Sequence, residues 1–202
     1  MTRRRSEWLD WCALAALTLA VYSTLSVARA AFDWLTHIGL GPALRVGVVA
    51  AVVAIPVGLA LWLALVARVR RAADYAAIAA LAAAYGVALL TLADMPIERV
   101  HLLEYGAVGL LAFRALRHRF GGTDRAILAA LVALNIGLGD ELIQGLLPRR
   151  FYDTKDVTAN ALAGLLAVLA AAVVSRGAMV RSAALTGSQD ERDRQDSEKS
   201  IL

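Results

Sequence analysis

The chain predicts an all-α fold: a polytopic transmembrane helix bundle of about six helices with both termini in the cytoplasm. Three observations carry that expectation. Of the 202 residues, 59% are apolar, and they gather into long unbroken runs. Six runs approach the roughly 20 residues that a helix needs to cross a ~30 Å hydrocarbon layer, and only helices or closed barrels satisfy their backbone in lipid. The arginines fall in short clusters between the runs, weighted toward alternate loops.

The first run, Trp8–Ala28, follows Arg3, Arg4 and Arg5. With Ala28-Arg29-Ala30 behind it, this start imitates a secretory signal with its small-residue cleavage site. The run exceeds the usual ~7–15 apolar residues and carries an arginine at the site, so a retained helix is expected. The second run, Val46–Val66, is interrupted by Pro56 and followed by Arg68, Arg70 and Arg71. The third, Tyr75–Leu92, leads through Asp94 and Pro96 into the fourth, Ile97–Leu116. Arg114, Arg117, Arg119 and Arg125 separate that run from the fifth, Ala126–Leu147, which stops at Pro148. The sixth, Val157–Ser175, ends at Arg176 and Arg181. Residues 1–70 thus read as a two-helix extension and residues 71–180 as a four-helix core. Residues 181–202 read as a disordered cytoplasmic tail, closing in the polar, mixed-charge GSQDERDRQDSEKSIL.

The basic clusters orient the bundle. Twelve arginines lie beside the N-terminus, the second-to-third and fourth-to-fifth loops and the sixth run, against six basic residues in the alternate loops. This bias places both termini inside. It also accounts for the net charge of +4, so nucleic-acid binding is not expected. The single cysteine, Cys12, excludes an internal disulfide and a thiolate metal cluster.

Chemistry is suggested where apolar runs carry ionisable groups. In ERVHLLEYG, the residues Glu98, His101 and Tyr105 share one helical stripe, with Glu104 one step round. Glu98 suits a helix N-terminus, after Asp94 and Pro96. His101 and Glu104 lie one to two turns deeper, where an ionisable group is costly and usually faces a cavity or a partner. GLGDELIQG brings Asp140, Glu141 and Gln144 to the end of the fifth run, just ahead of Arg149 and Arg150. Pairing of Asp140 or Glu141 with Arg149, Arg150 or Arg99 is the structural alternative there. In the sixth run Asp153 or Thr154 is placed to cap the helix, with Asp156 in its first turn and Asn160 one turn deeper. Ala159, Ala163 and Ala167 form a small-residue seam that admits a close neighbour and permits self-association. By topology all these groups meet on the outer face, as one polar pocket. Its inventory allows acid/base chemistry, a cation site or binding of a polar headgroup or sugar. One histidine without a His-x-x-x-His pair makes the metal reading weak, so no metal or other cofactor is expected.

These motifs together, Glu98-Arg99-Val100-His101-Leu102-Leu103-Glu104-Tyr105-Gly106, Asp140-Glu141-Leu142-Ile143-Gln144, Pro148-x-Arg150, Asp153, Asp156-Val157 and Asn160-x-x-x-Gly164, resemble the VanZ-like family of bacterial membrane proteins. The resemblance covers about Tyr75 to Ser175. It carries over His101, Tyr105, Glu141, Gln144, Arg150, Asp153, Asp156 and Asn160, with no established catalytic role for any of them. Many members place an Asp-Lys pair ahead of the histidine, where this chain has Ile97-Glu98.

The resemblance implies a multi-pass protein of the bacterial cytoplasmic membrane, related to a namesake associated with low-level teicoplanin resistance. The leading expectation is a pocket that binds a lipid-linked or glycolipid component of the envelope, or a glycopeptide ligand, with membrane lipids as its surroundings. The alternative is an intramembrane enzyme that modifies such a lipid, with Glu141 or Glu104 as general base and His101 as partner. A proton-relaying transporter lacks the broken helices or repeat that would support it.

Overall fold

A computed structural model describes residues 3–65, 71–91, 96–147 and 152–199. Seven helices account for nearly all of them: α1 (Arg3–Thr24), α2 (Ala28–His37), α3 (Gly41–Leu65), α4 (Ala72–Thr91), α5 (Pro96–Leu116), α6 (Gly122–Leu146) and α7 (Thr154–Lys199). Over the described residues, each of the six apolar runs is helical for most of its length. Among the described residues, α4, α6 and Thr154–Arg176 of α7 are long and apolar enough to cross a membrane; α2 and α3, bent by 115° at their junction, make up to a fourth crossing if counted together. The chain therefore has the helices of a membrane protein.

Two features depart from the sequence expectation. A short helix, α2, occupies what reads as a loop. It ends in a Schellman cap: Leu40 N–H donates to Leu35 O at 2.9 Å and Gly39 N–H to Thr36 O at 3.1 Å. Gly39 sits there at φ 86°, in the left-handed region that a glycine reaches without strain. The tail, expected to be disordered, instead continues α7 as helix to Lys199. Beyond Ser175 the sequence has no proline to stop a helix, and it places Asp190 four residues ahead of Arg194, a spacing that supports a solvated helix.

The core is the mutual packing of α5, α6 and α7, with α4 against α7 and α1 against α5. Lipid offers no hydrophobic drive for such packing, so close backbone approach must supply it. At the crossing, a Cβ on Gly109 would lie 2.5 Å from the carbonyl oxygen of Gly164, and a Cβ on Gly164 would lie 2.8 Å from Ala133 Cβ. Ala159 and Ala163 from the expected seam are buried beside this point. Two tyrosines fasten flanking helices to the core. The Tyr22 hydroxyl of α1 donates to Ile136 O of α6 at 2.6 Å, and the Tyr85 hydroxyl of α4 donates to Leu102 O of α5.

Asp10, a carboxylate inside the first apolar run, is 4% exposed. Arg114 Nε donates to Asp10 Oδ1 at 2.7 Å, while Arg117 and His118 approach Oδ2 at 3.1 and 2.9 Å. Arg119 pairs with Glu7 beside it at 2.6 Å. A buried carboxylate is stable only with such partners, so the start of α1 is tied to the end of α5.

Candidate functional site

At the opposite end of α5 the polar residues of three helices converge. α5 contributes His101, Glu104 and Tyr105, α6 contributes Asp140, Glu141 and Gln144, and α7 with its preceding turn contributes Asp153, Asp156 and Asn160. Antiparallel packing of α6 on both neighbours produces the match. Tyr105 lies against Gly137, where a Cβ would fall 3.5 Å from its ring, and the same Cβ would meet Asn160 at 3.1 Å. Gly137 thus lets α5 and α7 approach α6 one turn below the acids.

Glu141 is 1% exposed and has both oxygens occupied. Gln144 Nε2 donates to Oε1 at 3.0 Å, and the backbone N–H of Asp153 donates to Oε2 at 3.2 Å. The carboxylate therefore fastens the end of α6 to the start of α7. Gln144 Nε2 also approaches Asp140 Oδ2, more loosely, at 3.4 Å. Asp153 itself caps α7, its Oδ1 accepting from Lys155 N–H at 2.7 Å. Of the two capping candidates in the sequence, Asp153 is therefore the one used. Gly145 leaves room for the incoming chain, since a Cβ there would stand 3.4 Å from Tyr152 Cβ.

Asp140 and Tyr105 are fully enclosed. The hydroxyl and the carboxyl are turned toward each other, but neither the hydroxyl nor Asp140 Oδ1 completes a well-formed hydrogen bond with a described residue. Buried polar atoms left in this state mark a place where a further partner is gained at little cost. Asn160 is buried alongside and Asp156 half-buried.

The more open edge belongs to His101 and Glu104, whose side chains are 18% and 30% exposed, with Nδ1 and Oε2 2.9 Å apart. Asp140 and Asp156 stand within electrostatic range of the imidazole. The assembly is thus an enclosed set of carboxylates and amides reached past a histidine–glutamate pair. The deeper members of this cluster, Asp140, Glu141, Gln144 and Asn160, are buried. Among the described residues, no group of three His, Cys, Asp or Glu side chains is arranged to hold a metal ion.

Two sequence candidates, the Arg150 residue and the Glu98 side chain, lie outside the described residues. Sequence reasoning missed Tyr22, whose hydroxyl would stand 2.6 Å from a Cβ on Gly139, next to Asp140. Its signal was available: a tyrosine inside an apolar run needs a partner for its hydroxyl. No family model, curated protein or solved structure matches the chain.

Proposed function

We propose that this is a VanZ-like protein of the bacterial cytoplasmic membrane, spanning it with both termini inside. Its clustered polar residues bind a lipid-linked or glycolipid component of the cell envelope, and through it contribute to teicoplanin-type resistance. One observation carries the reading: Asp140, Glu141, Gln144 and Asn160 converge at one end of the core with His101 and Glu104 from a third helix at its partly exposed edge. Groups that are costly in lipid are kept where they face a cavity or a ligand. Carboxylates and amides together suit the hydroxyl-rich head of a glycolipid, which offers many donors to acceptors of this kind.

The test compares lipids that co-purify with the wild-type protein and with Glu141→Gln, both recovered in equal yield. Enrichment of a glycolipid or lipid-linked species in the wild type, lost in the variant, supports the proposal. Identical lipid profiles count against it.

The 2.9 Å approach of His101 to Glu104 favours a second reading, in which the protein turns the lipid over by acid/base chemistry. Cells making the wild-type chain then accumulate a modified lipid that cells making His101→Ala or Glu141→Gln do not. An unchanged lipid profile removes this reading and leaves binding.

A further inference from the structure

We propose that α2 is an interfacial helix that lies in the headgroup layer of the bilayer, on the face of the molecule that carries the acid cluster. The residues of α2 and its flanks divide into three stripes. At 100° per residue Val27, Ala31, Trp34 and Ile38 fall on one line, and all four are exposed, Trp34 to 61%. Phe32 and Leu35 turn about a quarter-circle away and are half-buried against the molecule. Asp33 and His37 occupy the remaining side and are exposed. A soluble helix would bury the first stripe and a spanning helix would not carry the third. One edge on protein, one in lipid and one in water is the pattern of a helix lying at the boundary of headgroups and acyl chains, and a tryptophan on the lipid edge suits that depth.

The corner geometry supports the same placement. The Schellman cap at Gly39 ends α2 firmly, and α3 leaves it at 115°. If α3 runs along the bilayer normal, as its apolar sequence suits, α2 lies close to the membrane plane. The position of α2 along the bundle follows from α1. Tyr22, in the last turn of α1, bonds to Ile136 and adjoins Gly139, so α2 starts level with the last turns of α6 that hold Asp140, Glu141 and Gln144. The acid cluster therefore sits just beneath the headgroup layer, within reach of a lipid's polar head and out of reach of its acyl chains. This depth holds whichever ligand the acids accept.

Nitroxide labels test the placement on the full chain in phosphatidylcholine vesicles, with Cys12→Ser as background. Cysteines are introduced singly at residues 27, 31, 33, 34, 37 and 38, all exposed positions that tolerate a label. Collision with oxygen, which partitions into lipid, is expected to be several-fold stronger at 27, 31, 34 and 38 than at 33 and 37. Collision with a water-soluble nickel chelate is expected to follow the opposite order. Exclusion of the chelate from all six sites would make α2 part of an embedded, broken span and overturn the proposal. Free access of the chelate at all six would place α2 in water and overturn it equally.

Discussion

At Glu141 a single carboxylate carries both structure and the proposed chemistry, because one oxygen accepts from Gln144 and the other from the backbone of Asp153. Removal of it strands a buried amide and a backbone N–H, a loss of about 1–3 kcal/mol. Glu141→Ala is therefore expected to lower the unfolding temperature in detergent by several degrees, whereas Glu141→Gln, which keeps an acceptor, should lose less. Equal losses in the two variants would mean that the charge, rather than the bonds, holds the loop. Tyr22→Phe isolates a different contact. It removes only the hydroxyl bonded to Ile136 O, and a loss of about 1 kcal/mol is expected by the same measurement. Glu141, Gln144 and Asn160 were all legible in the sequence as polar residues out of place in apolar runs. Tyr105 was legible as a stripe-mate of His101, but its enclosure between helices was not, since burial of that kind depends on which glycines face it.

Between elements, the close crossing of α5, α6 and α7 rests on residues without side-chain bulk. Gly109→Ala places a methyl group against the backbone of Gly164, which cannot rotate away as a side chain would. Overpacking of this sort costs about 1–3 kcal/mol, and the variant should unfold earlier and be cleaved faster by protease. Gly86→Ala, which meets nothing within 4 Å, serves as the control and should be no less stable and no more readily cleaved than the wild type. Runs of apolar residues were enough to locate the long helices, since length and hydropathy are local properties. The corner helix α2 was missed for a local reason too: ten residues carrying Arg29, Asp33 and His37 read as a loop when only spans are sought. The helical tail was missed because composition argues for solvation, and solvation does not forbid a helix with i,i+4 charge spacing.

Across the molecule, the buried polar and charged groups among the described residues gather at two ends of the core. One end holds the enclosed acids of α5, α6 and α7; the other holds Asp10 among Arg114, Arg117 and His118, with Glu7 on Arg119. The second cluster was out of reach of the sequence, because Asp10 meets partners more than a hundred positions away. Asp10→Ala leaves three cationic or imidazole groups without their acceptor. Two of the partners are well exposed and retain hydration, so the expected loss is about 1–3 kcal/mol, below that of a fully buried pair. Release of α1 should follow, read as faster proteolysis between α1 and α3 with α5–α7 still protected. Uniform protection of α1 in that variant would show that Tyr22 and apolar packing suffice.

The central claim is that the acid cluster serves an envelope function, and antibiotic susceptibility tests it most directly. Teicoplanin and vancomycin sensitivity should be measured in a susceptible host carrying the wild-type chain, Glu141→Gln or no insert, at matched membrane levels of the two proteins. The account predicts reduced teicoplanin sensitivity with the wild type and none with Glu141→Gln. Wild type and empty host behaving alike, or protection that persists in the variant, would contradict it.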